Sequence, residues 1–189
     1  KYLKFCINSI KKNSELNNEI IVHVSEDKNK ETRKFLISHN IRFTFTENNV
    51  GLCTAINIVA KKTSNKYLIY THDDMYFCPG WDEIFKKELD KNIEYKDFFL
   101  SGTMVQPFHS YINLDCGKTI NDFDENKLLR ELPKIKYDDF QGTHWQPSLI
   151  PVETWNKVGG FSQEFSPGLG SDPDFNMKLW KIGVRLFKG

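Results

Sequence analysis

Lys66-Tyr67-Leu68-Ile69-Tyr70-Thr71-His72-Asp73-Asp74-Met75 is the stretch on which the fold reading turns. From Tyr67 to Thr71 the residues are aromatic, aliphatic or β-branched, which favours an extended strand. The lack of polar alternation predicts a strand covered on both faces, as in a parallel sheet flanked by helices. The run stops at an imidazole and two adjacent carboxylates, and Pro79-Gly80 follow. In open α/β sheets ligands bind beyond the carboxyl ends of the strands, so His72, Asp73 and Asp74 stand where a site is expected. Carboxylate oxygens are hard ligands that suit Mg²⁺ or Mn²⁺, and such an ion suits a phosphorylated substrate. Alone, an Asp-Asp pair is also an ordinary way to begin a turn.

The residues before this strand alternate helix and strand. Leu3, Cys6, Ile7 and Ile10 share one face at helical spacing over residues 2–12. Residues 19–24 (EIIVHV) form an apolar strand that ends in Ser25-Glu26-Asp27, again polar at a carboxyl end. A polar helix over 30–39 turns Phe35 and Leu36 inward, and residues 41–46 alternate as a strand. A loop through Asn49 and Gly51 leads to an amphipathic helix over 52–62, with Leu52, Ala55, Ile56 and Val59 expected on its buried side. This order predicts a three-layer α/β/α fold with a Rossmann-like, mostly parallel sheet.

After the opening stretch come a helix over 81–89 and a strand over 98–105. Residues 106–147 are a long irregular excursion, with a helical turn or two at 128–132, and long excursions of this kind are usually binding loops or lids. Order returns with a strand at 148–151, a helical turn at 153–157 and the segment Val158-Gly159-Gly160-Phe161. Asp172-Pro173-Asp174 then opens a helix through Ile182, with Phe175, Leu179 and Ile182 as its apolar stripe, and 184–187 reads as a closing strand. An α/β domain of this type ordinarily opens with a strand, so the first strand and some C-terminal residues are expected to lie outside these 189 residues.

The chain is long enough for one domain with a substantial core. Twenty-six basic and 25 acidic residues leave a formal charge of +1. That balance gives no footprint for nucleic acid or an anionic membrane. No run approaches the length of a membrane-spanning helix. Cys6, Cys53, Cys78 and Cys116 are widely spaced, without a C-x-x-C pair, and read as reduced cytosolic thiols rather than a disulfide frame or zinc site, although four cysteines leave a disulfide open. The expected location is cytoplasmic, free or peripheral to a membrane.

Three groups now stand at spacings that carry meaning together: Asn49-Val50-Gly51 with Ala55 and Asn57, the His72-Asp73-Asp74 strand end, and Gly159-Gly160-Phe161 followed by Asp172-Pro173-Asp174. Over essentially the whole chain this pattern resembles the family 2 glycosyltransferases of the GT-A fold. Their landmarks are an N-x-G-x-x-x-A-R-N helix, a D-x-D strand end, a G-G-F segment and an E-D-x-D helix start. The resemblance implies a single domain, with residues 1–105 binding the nucleotide sugar and residues 106–189 binding the acceptor and holding the catalytic group. It implies inverting, hexosyl-type transfer from a nucleotide-diphosphate sugar to a hydroxyl of a glycan, a lipid-linked acceptor or another acceptor, as in polysaccharide biosynthesis. Asp74 would hold a divalent cation, Mn²⁺ or Mg²⁺. His72, Asp73, Glu26, Asp27, Asn49, Gly51 and Asn57 would contact the donor, and Trp145 and Gln146 the acceptor. Asp172 would be the general base.

Two departures stand out: His72 replaces the first acid of D-x-D, and Ile56 replaces the arginine before Asn57. They keep open a catalytically silent nucleotide-sugar or glycan-binding module of the same fold. A nucleotidyltransferase on a related scaffold would require a Gly-rich basic loop near the start, which these residues do not contain. Local alternatives also stand. Asp172 before Pro173 reads equally as a helix N-cap with Pro at the first helical position. Asp174 reads as a structural first-turn acid, Glu26 and Asp27 as a solvated loop, Gly51 as a helix-start glycine, and His109 and His144 as ordinary hydrogen-bonded histidines.

Overall fold

A computed structural model of the chain describes residues 1–91, 96–110, 112–136, 138, 146–184 and 187–188. They form a mixed α/β structure in two compact units. The first comprises Lys1–Asn17, Ile69–Leu149 and Leu186–Gly189, and the second Asn18–Leu68 and Ile150–Arg185. Helix and strand alternate as the sequence predicts: α1 (Tyr2–Asn13), β1 (Ile21–Ser25), α2 (Glu31–Ser38), β2 (Arg42–Thr46), α3 (Gly51–Ala60) and β3 (Tyr67–Tyr70).

In the first unit, α1 buries Cys6, Ile7, Ser9, Ile10 and Asn13. The chain continues through α4 (Trp81–Lys91), β4 (Phe99–Ser101), β5 (Val105–Gln106), β6 (Ile112–Asn113) and α5 (Glu125–Glu131) to β7 (Ser148–Pro151), with β8 (Phe187–Lys188) far along the chain. The sheet order is β3-β7-β4-β8. Within it, β4 pairs antiparallel with β7 (Leu100 opposite Leu149) and parallel with β8. The strand expected over 98–105 is therefore broken. Gly102 donates its N–H to the Pro147 carbonyl at 2.7 Å, and a Cβ on it would meet the Pro147 ring at 2.9 Å. The chain leaves the ladder there and resumes as β5, parallel to β6. The helix in the excursion starts at Glu125, earlier than read, because the Asp124 side chain accepts from the Lys127 N–H and caps it.

In the second unit, β1 and β2 run parallel, Ile21 opposite Arg42 through Ser25 opposite Thr46. After β7 come α6 (Val152–Val158) and α7 (Ser171–Lys181). Trp155, Phe161 and Phe175 form an aromatic core, with Phe161 and Phe175 stacked at 4.7 Å. Three burial expectations need correction. On α3 only Cys53 is fully buried, and Leu52, Ala55, Ile56 and Val59 are half-buried, because this helix is wetted on more than one side. Ile182 lies beyond the last turn of α7 and is exposed. Strand β3 buries only Tyr70, so it is less covered than its apolar sequence suggests.

Candidate functional site

The predicted residues fall on both units. In the first, His72, Asp73 and Asp74 follow β3 directly. The Tyr70 hydroxyl hydrogen-bonds the His72 Nε2, and the two rings meet edge to face at 5.3 Å. The Cys6 thiol donates to the His72 carbonyl at 3.6 Å. Burial, with Asp73 and Asp74 adding to it, pushes that thiol up to about 12, so it stays protonated at neutral pH. Asp73 and Asp74 themselves are exposed. Their turn is fastened from the α1 side. Ser9 accepts from the Phe77 N–H at 3.0 Å, and Asn13 donates to the Phe77 carbonyl at 2.6 Å and the Tyr76 hydroxyl at 3.1 Å. Tyr76 in turn donates to Glu125 at 2.7 Å, and Lys12 pairs with the same carboxylate at 2.5 Å. Sequence reading missed this Tyr76–Glu125 link, because Glu125 is one acid among many in a stretch without periodicity.

The predicted acceptor residue Gln146 is buried. Trp145 and His144 lie outside the described residues. His109 adopts a left-handed conformation (φ 62°) beside Phe108. Among the described residues no group of three or more His, Cys, Asp or Glu side chains converges as a metal cage. Two exposed carboxylates at a strand end fit an ion that keeps some waters and takes its remaining ligands from substrate phosphates.

In the second unit, Asp27 accepts from the Thr32 and Arg33 N–H groups at 3.3 and 2.9 Å and from Arg33 Nε at 3.2 Å, so it closes the N-terminus of α2. Burial opposes its charge, but these donors outweigh it and hold the carboxyl below its usual range. Glu26 is exposed, with φ 54°. Asn49 accepts from the Gly51 N–H at 2.9 Å and so shapes the start of α3. Gly51 is more than a helix-start glycine. It has φ +74°, and a Cβ would stand 2.0 Å from Ser166 Oγ, while Leu52 N–H donates to the Pro167 carbonyl at 3.0 Å.

Asn57, expected at the donor, is instead engaged with the backbone of Phe161. Its Nδ2 donates to the Phe161 carbonyl at 2.8 Å, and its Oδ1 accepts from the Phe161 N–H at 3.0 Å. Gly160 makes that approach possible, since a Cβ there would fall 2.2 Å from Asn57 Oδ1.

Asp172 is not the N-cap of α7. Gly170, with φ 83°, takes that position, and Asp172 lies in the first turn, half-buried. A carboxylate there is favoured in its ionised form by the helix dipole. Asp174 is the structural acid of this turn. It accepts from the Ser162 hydroxyl at 2.6 Å and lies 4.0 Å from Lys178. Lys178 also donates to the Gly160 carbonyl at 2.6 Å and to Ser162 at 3.1 Å. Lys178 is four residues after Asp174, so this ion pair could have been read from helical spacing.

The solved structures similar to this chain share the fold at low identity. TarS of S. aureus aligns at a TM-score of 0.66 and 14% identity, over 100% of this chain and 32% of its own. The TarS 1–349 structure with UDP gives 0.66 and 14%, over 99% of this chain and 53% of its own. GalNAc-T7 with UDP, GalNAc and Mn2+ gives 0.64 and 16%, over 97% of this chain and 39% of its own. The chain thus spans about half or less of each of these proteins. No curated protein matches it. The sequence profile of glycosyl transferase family 2 matches residues 1–95 of 189, from α1 through the acidic turn to α4. With that match over half its length, the chain belongs to glycosyl transferase family 2.

Proposed function

We propose that this protein transfers a sugar from a nucleotide-diphosphate sugar to an acceptor hydroxyl, with inversion at the anomeric carbon and the help of a divalent cation. The observation that carries the reading is Asp172, half-buried in the first turn of α7 in a chain of this family. Its carboxylate, kept ionised by the helix N-terminus, takes the proton from the acceptor hydroxyl as that oxygen attacks the face opposite the leaving group. Asp74, with Asp73 beside it, holds Mn²⁺ or Mg²⁺. When bound, the ion supplies neutralisation of the charge on the departing diphosphate. His72 and Asp73 face the ribose and phosphates, and Glu26 and Asp27 lie toward the nucleoside. Asn49 and Gly51 shape the donor end of α3, and Trp145 and Gln146 meet the acceptor.

TarS and GalNAc-T7 were both determined with UDP, so UDP-linked sugars are the first donors to test. The acceptor is a glycan, a lipid-linked hydroxyl or another hydroxyl, as in polysaccharide biosynthesis. Among the described residues no helix is long and apolar enough to cross a membrane, and a cytoplasmic enzyme, free or peripheral to a membrane, goes with this reading. The test is UDP release from UDP-sugars with Mn²⁺. Asp172→Asn lowers turnover by about 10²–10⁴-fold with the fold intact. Wild-type turnover in that variant sinks the reading.

His72, standing where an acid is usual and tied to Tyr70, favours one second reading: a silent nucleotide-sugar-binding module. It predicts that UDP raises the melting temperature equally with and without Mn²⁺, and that no UDP-sugar is turned over.

A further inference from the structure

In the second unit, the segment from Gly159 to Gly170 is fastened along its length and leads straight into the helix that carries Asp172. Near one end Asn57 of α3 pairs with both backbone groups of Phe161. Near the other, Leu52 of α3 donates to Pro167, and Ser171 donates from both its N–H and its hydroxyl to the Gly168 carbonyl, at 3.1 and 2.6 Å. Between these points Ser162 donates to Asp174, and Lys178 reaches from the second turn of α7 to Gly160 and Ser162. Beneath the segment, Phe161 stacks on Phe175 and both touch Trp155. Asp172 therefore sits between Ser171 and Asp174, two residues held by this strap, and the strap is held by α3.

An eleven-residue helix frays at its first turn unless something secures it, and a reacting group misplaced by about 1 Å loses on the order of a hundredfold in rate. We propose that Asn57, Ser162 and Lys178 are positioning residues that fix the first turn of α7, and with it the Asp172 carboxylate, through the strap. The inference rests on Asp172 as the base, and it gives Asn57 a task other than donor contact.

The test compares Asn57→Ala, Lys178→Met, Lys178→Arg and Ser162→Ala with the wild type, reading hydrogen exchange at the Asp174 amide, which donates to the Gly170 carbonyl, together with kcat and KM for UDP-sugars. Asn57→Ala and Lys178→Met speed exchange at Asp174 by about tenfold or more and lower kcat by about tenfold, while KM for the UDP-sugar stays within about twofold. Lys178→Arg, which keeps a cationic donor, stays near wild type. Exchange that quickens only at Gly160–Ser162 overturns the proposal, as does a loss expressed wholly in KM. If Asn57→Ala does not fold, Ser162→Ala, which deletes a single hydroxyl, decides the same question. Full turnover in Asp172→Asn defeats the base assignment separately, and the exchange measurement still decides whether the strap holds α7.

Discussion

At the end of β3, Asp73 and Asp74 stand exposed on a turn whose fastening comes through its backbone and neighbours, from Cys6, Ser9 and Asn13 of α1. At the start of α7, Asp172 is half-buried, in a helical turn secured through Ser171 and Asp174 by side chains and backbone more than a hundred residues from α3 in sequence. The contrast fits the two roles proposed for these acids. Carboxylates that meet a hydrated ion and a diphosphate can stay in water, because the ligand brings its own oxygens. A base, the role proposed for Asp172, must be aimed before the acceptor arrives, and a fastened helical turn suits that role.

Loss of a ligand response tests the exposed half of that contrast. At UDP concentrations about 100 times Kd, with Mn²⁺, ligand binding raises wild-type stability by about 2.7 kcal/mol. Asp74→Ala abolishes the Mn²⁺-dependent part of that gain without lowering the melting temperature of the free protein, since the side chain is exposed. A full Mn²⁺-dependent shift in the variant takes Asp74 out of the metal site.

The strapped half is sharpened by two adjacent glycines. Both have positive φ, +74° at Gly159 and +66° at Gly160, but a Cβ at Gly159 meets nothing within 4 Å, whereas at Gly160 it meets Asn57 Oδ1 at 2.2 Å and the Trp155 ring at 3.0 Å. Gly159→Ala is expected to cost about 1–2 kcal/mol from backbone conformation alone. Gly160→Ala adds about 1–3 kcal/mol of overpacking to that. Urea unfolding of the two variants measures the difference, and equal midpoints would show that the strap yields freely.

A smaller effect belongs to the fastening behind the acidic turn. Tyr76→Phe removes the hydroxyl that donates to Glu125 and accepts from Asn13. It should lower stability by about 1 kcal/mol in the same urea assay. No change at all would leave α5 without a part in holding that segment.

The smallest is a pH effect on the β1–β2 pair, which lies in neither acidic site. His23 sits between Thr44 and Thr46, at 2.8 and 3.2 Å, and burial lowers its pKa from 6.5. The folded state therefore binds fewer protons than the unfolded state between the lowered value and 6.5. Its contribution is complete above 6.5 and is lost as pH falls through the lowered value. His23→Gln should flatten that part of the stability–pH curve, and an unchanged curve would assign the slope elsewhere.

Much of the frame was legible beforehand. The helical spacing in α1 and the apolar runs of β1 and β3 announce themselves because each repeats with the period of its own element. The excursion carries no legible pattern because its strands are two residues long and its helix seven, too short to establish a period. The burial of α3 and of Ile182 is not legible for another reason: an apolar stripe states which face could be covered, and only the neighbours decide whether it is.

For the site the division is sharper. Residue types and their spacing set the chemistry on offer: carboxylates at a strand end and at a helix start, and glycines where the backbone must turn. What Asn57, Gly51 and Gly160 do depends on the packed chain, because their partners lie about a hundred or more residues away. The packed chain also places Gly170, not Asp172, at the cap of α7. Local sequence carries the periodicity and charge of an element, but a contact at long separation is set by the packing of the whole unit, and no window of residues contains it.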